Sequence, residues 1–256
     1  MFRLLQIYKI FKQGPSPQDP DVDVGEGYRG LSVMSKRKEC FYLIAGFAGT
    51  LLGTLGVLMF NGNVLTKLPG LPRIILYVAD YWLIALVPLV LMYLNKERMR
   101  DYLSGKGKLA LQILTGIGIG LAMSFVLTLI PHLAGFGDFV DNGTRHDKFM
   151  EFLIEFIYFV CSVSFAEEFV FRGFIFKRLK NITENDTISL IVSSVLFGLL
   201  HIFGGSIIQI LITALIGALL CFCRLKIKNC SLLSLIIAHG IYDFLIVFWA
   251  SVLLKG

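Results

Sequence analysis

The sequence predicts an all-α, polytopic transmembrane helix bundle of about seven spans. Three observations predict it. Of 256 residues, 56% are hydrophobic and 16% are charged, with a mean hydropathy of +0.75; a soluble domain has about 25% charged residues. The apolar residues gather into stretches at approximately 40–60, 74–94, 109–130, 149–176, 188–203, 207–223 and 231–254, most of them near the length that crosses a hydrocarbon core. Lys and Arg fall in every second connection, as the positive-inside rule requires of a membrane protein with one orientation.

Residues 1–12 mix bulky apolar side chains with Arg3, Lys9 and Lys12. No apolar h-region follows, so this is not a signal peptide but a short interfacial helix. Residues 13–35, rich in Pro, Gly and Asp, read as a flexible tail, and residues 1–38 as a cytoplasmic N-terminal segment ahead of a bundle at 39–256. Lys36-Arg37-Lys38 precedes the first span. On the same side lie Lys96, Arg98, Arg100, Lys106 and Lys108 at 95–108, Lys177, Arg178 and Lys180 at 177–187, and Arg224, Lys226 and Lys228 at 224–230. The connections 61–73 and 131–148 are poor in Lys and Arg, which places the N-terminus in the cytoplasm and the C-terminus outside. The expected location is a cell membrane, most simply a bacterial one.

This distribution also accounts for the net charge of +6 without a nucleic-acid partner; the expected partners are membrane lipids and a membrane-associated peptide or protein. Cys40, Cys161, Cys221, Cys223 and Cys230 show neither a paired framework nor zinc-ligand spacing and read as small apolar fillers. Gly116, Gly118 and Gly120 in the third span suit close helix approach. His132, His146, Asp138, Asp141 and Asp147 in the outer loop contain metal-ligand types, a composition that solvated loops commonly have.

The fourth stretch is different. Phe165-Ala-Glu167-Glu168-Phe-Val-Phe-Arg172-Gly173 sets three charged groups within six positions of an apolar helix, and each costs at least about 2.5 to 3.5 kcal/mol at the bilayer centre. Glu168 and Arg172, at i and i+4, share a face and neutralise each other. Glu167 is turned about 100° away and left for other work. It lies about 15 Å from the end of its span near Lys177, a depth comparable with those of His201 in the fifth span and of His239 and Asp243 in the seventh. Asp80, Glu151 and Glu155 are further charges in spans, left out of this set. A carboxylate with two histidines at one depth suggests a hydrolytic site inside the membrane.

Glu167-Glu168-x-x-x-Arg172, Phe197-x-x-x-His201 and His239-x-x-x-Asp243, in this order and in separate spans, resemble the three motifs of the CPBP (ABI) family, which includes type II CAAX prenyl endopeptidases and bacteriocin-processing or immunity proteins. The resemblance covers a motif core at 149–250. The last motif of the family commonly ends in Asn; Asp243 departs from it, and an Asp donates a hydrogen bond only when protonated. The resemblance implies an intramembrane endopeptidase with its catalytic set among Glu167, Glu168, Arg172, His201, His239 and Asp243. Glu167 would be the general base toward water, His201 would hold that water or the developing charge, and His239, oriented by Asp243, would face the oxyanion. A zinc ion on Glu167, His201 and His239 is the metal alternative, and the glutamate-activated water is preferred because no His-x-x-x-His pair lies on one helix. A non-catalytic scaffold or immunity protein that keeps the fold is the reading from another class. Transport finds no internal repeat to support it.

Overall fold

The computed structural model describes residues 34–103, 107–137, 143–203 and 206–253; the interfacial helix and tail expected within 1–33 lie outside them. Regular structure among the described residues is helical throughout, with no strand. Hydrocarbon offers no partner to a free N–H or C=O, so a chain this apolar satisfies its backbone within helices. Seven helices are long and apolar enough to cross a membrane: α1 (Lys36–Lys67), α2 (Gly70–Leu94), α3 (Leu109–Phe136), α4 (Phe149–Thr183), α5 (Asp186–Phe203), α6 (Ile207–Lys226) and α7 (Leu232–Val252).

The helix starts follow local chemistry. Ser35, Asn185 and Ser206 cap α1, α5 and α6, each side-chain oxygen accepting from the backbone N–H three residues on, which satisfies one of the orphan donors of a helix start. Glu184, in the left-handed region at φ 56°, closes α4 one residue before the Asn185 cap. The boundaries exceed the apolar stretches at the charged ends. Lys36-Arg37-Lys38 is the first turn of α1 rather than a lead-in, and Lys177, Arg178 and Lys180 belong to α4, with Arg224 and Lys226 in α6. Long basic side chains extend helices past the apolar run by reaching toward the interface or a buried acid.

Two packings fix the bundle. α3 lies along α7, where a Cβ on Gly116 would stand 2.6 Å from the Ser234 carbonyl oxygen and one on Gly120 2.7 Å from that of Ala238. Only glycine permits that approach; Gly118 faces open space. α4 runs through the middle, with Phe169, Val170, Phe171, Phe174 and Ile175 fully buried. It departs from α geometry at Phe159–Val163 and Phe169–Ile175, two π-helical segments on either side of Ser164–Glu168. Such widened turns shift the side chains after them around the axis and often mark functional positions.

A polar knot ties α1 and α4 to the segment that follows α2. Arg178 has no exposed surface. It donates to Glu39 Oε2 at 3.2 Å and to Glu97 Oε1 at 2.6 Å, with the Tyr102 hydroxyl at 3.3 Å. Lys177 reaches Glu97 Oε2 at 3.1 Å, Tyr102 donates to the same oxygen, and Asn181 donates to Glu39 Oε1 at 2.7 Å. The expectation that Lys177 and Arg178 are loop charges on the cytoplasmic side is therefore corrected for Arg178, which is a buried structural cation.

Candidate active site

The side chains of α4 and α7 meet because α7 is narrow where it crosses. A Cβ on Gly240 would lie 2.7 Å from Val160 Cγ2 and 3.0 Å from Ser164 Oγ, so the residue after His239 lets the two backbones close. His239 then enters the carboxylate pair of α4. Its Nδ1 lies 2.9 Å from Glu168 Oε1, and its Nε2 lies 3.3 Å from Asp243 Oδ2 and 3.8 Å from Glu167 Oε2. Glu168, fully buried, receives Arg172 Nη1 at 3.0 Å on the same Oε1. One oxygen thus joins the arginine of its own helix to the imidazole of another.

The structure accordingly brings together Glu167, Glu168, Arg172, His239 and Asp243. The i, i+4 pair forms as its spacing requires. Glu168 has an additional part that spacing within α4 does not disclose: it holds Nδ1 of His239, so Asp243 is not alone in orienting the ring. Asp243 instead faces Nε2, the nitrogen nearer Glu167. Arg172 is further fixed by its guanidinium lying 4.2 Å from the centre of the Phe197 ring, and Arg224 of α6 donates to its backbone carbonyl. Gly217 of α6 leaves the room: a Cβ there would stand 2.7 Å from Arg172 Nη2.

His201 joins less directly. It sits where α5 tightens into a final 3₁₀ turn, and its Nδ1 is 3.1 Å from the Phe197 carbonyl oxygen of its own helix. Its ring meets Phe197 edge-on at 5.2 Å, and Phe197 in turn meets His239 at 6.0 Å. No hydrogen bond or ion pair links His201 to Glu167 or His239 among the described residues. The zinc alternative fares accordingly. Among the described residues no three His, Cys, Asp or Glu side chains stand together as metal ligands, and Nδ1 of His239 is taken by Glu168. The set Glu167, His201 and His239 is not assembled as such a group among the described residues, although the Nδ1 contacts of both histidines leave Nε2 as the nitrogen that would ligate.

One contact comes from outside the motifs. The Tyr81 hydroxyl of α2 donates to Glu167 Oε1. Tyr81 sits in a 3₁₀ turn, Tyr81–Ala85, at the middle of α2, and a tyrosine beside Asp80 in mid-span is the only trace it leaves in the sequence. Near the start of α4, His146 lies 3.3 Å from Glu155 and 3.6 Å from Glu151. Glu155 lines a cavity of about 410 Å³ with Asn61, Arg73 and Tyr77. Asp138 and Asp141 of the 131–148 connection lie outside the described residues.

The pair Glu168–Arg172 yields a test by stability. Arg172→Ala leaves a buried carboxylate with only His239 for a partner and should cost about 3 to 5 kcal/mol, as breaking a buried pair does. Glu168→Gln combined with Arg172→Met should recover much of the loss, because the charge requirement disappears with the charge. Unfolding midpoints in detergent compare the two, and equal losses would show that the residues do not interact.

Comparison with known proteins agrees with the motifs. Residues 149–245 match a family described as Rce1-like, type II CAAX prenyl endopeptidase Rce1-like. No curated protein and no solved structure matched the chain. The matched segment contains all three motifs and excludes α1, α2 and α3. Over residues 149–245, from the start of α4 into α7 of a membrane-spanning helical bundle, the chain carries a domain similar to the Rce1-like CAAX-type intramembrane proteases.

Proposed function

We propose that the protein is an intramembrane endopeptidase that hydrolyses a peptide bond near the C-terminus of a lipidated or membrane-embedded peptide, with Glu167 as general base. The observation that carries the proposal is the convergence on His239 of Glu168 at 2.9 Å, Asp243 at 3.3 Å and Glu167 at 3.8 Å, from two helices. In this reading the water and the carbonyl oxygen of the substrate are bound beside Oε2 of Glu167 and Nε2 of His239. In the proposed reaction Oε2 takes a proton from water as its oxygen bonds the carbonyl carbon. Charge moves to the carbonyl oxygen, facing Nε2–H of His239. Collapse breaks the C–N bond, and the proton held by Glu167 passes to the departing amine, leaving a free amine and a new carboxylic acid, whose proton is then released as it ionises to the carboxylate. Glu168 keeps Nδ1–H of His239 engaged, which fixes the ring. Asp243, an acceptor where the family commonly has Asn, lies 3.3 Å from Nε2 and would share Nε2–H with the carbonyl oxygen.

His201 is assigned the far side of the substrate, reaching the water or the carbonyl across Phe197. The substrate class follows from the matched family and from a site walled by apolar helices. The test is hydrolysis of a farnesylated, internally quenched CAAX peptide by the purified full chain in nanodiscs, with Glu167→Gln as the control. Absence of cleavage by the wild-type protein, together with retained peptide binding, would favour the scaffold reading.

The cytoplasmic N-terminus is part of the same proposal and rests on the bias of Lys and Arg. A cysteine introduced at position 98, an exposed site in the same basic connection, should resist an impermeant thiol reagent in intact cells, in a background without native cysteines, while one in the 143–148 segment reacts. The reverse pattern would invert the orientation.

A further inference from the structure

We infer that Tyr81 is a positioning residue for Glu167, so that the site is completed by α2, a helix outside the segment that resembles a protease family. The inference rests on the proposed role of Glu167. The two oxygens of Glu167 have different neighbours. Oε1 receives the Tyr81 hydroxyl, while Oε2 faces Nε2 of His239 at 3.8 Å. Glu167 is itself 2% exposed, so nothing from solvent competes for Oε1. A hydrogen bond at one oxygen restrains the carboxylate about its last torsion, and the oxygen left over is the one beside His239. Tyr81 therefore decides which oxygen is the base and where it points. An effect of this kind is worth having, since a misplaced reacting group loses rate steeply.

The surroundings hold Tyr81 as a built element. Its ring meets Tyr158 of α4 edge-on at 6.1 Å, and Tyr158 stacks on Tyr77 of α2 at 4.0 Å. The next residue, Trp82, packs on Phe165 at 4.7 Å, two positions before Glu167. Ser162 Oγ of α4 donates to the Val78 carbonyl of α2 at 2.5 Å. Both the turn that carries Tyr81 and the π-helical segment just before Glu167 are thus pinned to each other. The 3₁₀ turn begins at Tyr81 and so changes the rotation of the residues after it, Trp82 first among them: about 120° per residue in place of the roughly 100° of a continuous α-helix.

Tyr81→Phe removes the hydroxyl and keeps the ring against Tyr158. With the farnesylated quenched peptide and full-length protein in nanodiscs, kcat should fall about ten- to a hundredfold, the range for loss of a hydrogen bond to a charged group. KM should stay unchanged. A second readout does not need cleavage. The infrared difference between wild type and Glu167→Gln isolates the stretching bands of the Glu167 carboxyl group, and in Tyr81→Phe those bands should shift as the donor is lost. An unshifted band, or a change in KM or folding with kcat unaltered, overturns the inference. If wild-type protein does not cleave the peptide, the proposed function fails by itself, and the band alone decides whether Tyr81 holds Glu167.

Discussion

Glu167→Gln should lower the rate of peptide hydrolysis by about 10²- to 10⁴-fold, the usual cost of losing a general base. The substitution is nearly isosteric. The amide oxygen still accepts from the Tyr81 hydroxyl, and the amide nitrogen occupies the place of Oε2 beside His239. What is lost is the capacity to take a proton from water. Folding should be unaffected or improved, since a neutral amide is cheaper to bury than a carboxylate. Single-turnover kinetics on the farnesylated peptide, alongside an unfolding curve, separates chemistry from stability. A Glu167→Gln protein that cleaves at the wild-type rate would remove Glu167 from the reaction and the proposed mechanism with it.

Arg178→Ala should be the most destabilising single substitution outside the site. Removal of one partner from a buried ion pair costs about 3 to 5 kcal/mol, and here two carboxylates, Glu39 and Glu97, lose the same cation. Lys177 stays on Glu97 and Asn181 on Glu39, which limits the loss but leaves no charge for Glu39. The triple change Glu39→Gln, Glu97→Gln and Arg178→Met should stand well above Arg178→Ala in unfolding midpoint, because no unpaired charge is then buried. An Arg178→Ala midpoint equal to that of wild type would show the knot to be dispensable. The knot also sets a pH dependence. Burial pushes the Glu97 carboxyl up, but hydrogen bonds and charge from Arg178, aided by Asn95 and Lys177, outweigh it and hold the group below its usual value. A carboxyl depressed on folding contributes stability that is fully present above its unfolded value, about 4.3, and is lost as pH falls through the folded one. Acid should therefore narrow the gap between wild type and Arg178→Ala.

The seven spans, their order and the alternation of basic connections were legible along the chain, because hydrophobic length and charge count are properties of local segments. The pairing of Glu168 with Arg172 was legible for the same reason: helical periodicity puts i and i+4 on one face. Gly116 and Gly120 signalled a close crossing without naming α7 as the partner. Contacts between helices were beyond this kind of reading. The meeting of Glu168 with His239 depends on how closely α7 approaches α4 at Gly240, and that of Tyr81 with Glu167 on the rotation of α2 about its axis. Arg178 was read as a loop charge since a basic residue after an apolar run is usually solvated; its burial required acids from α1 and from the turn after α2. Counting along the fifth span puts His201 at a depth comparable with Glu167, yet its helix ends in a 3₁₀ turn, and Nδ1 meets its own backbone. Depth in a membrane is set by position along one helix and can be counted from sequence. Which side chains touch is set by the azimuth of each helix against its neighbours, and that is decided only when glycines, π-helical turns and buried ions have packed together.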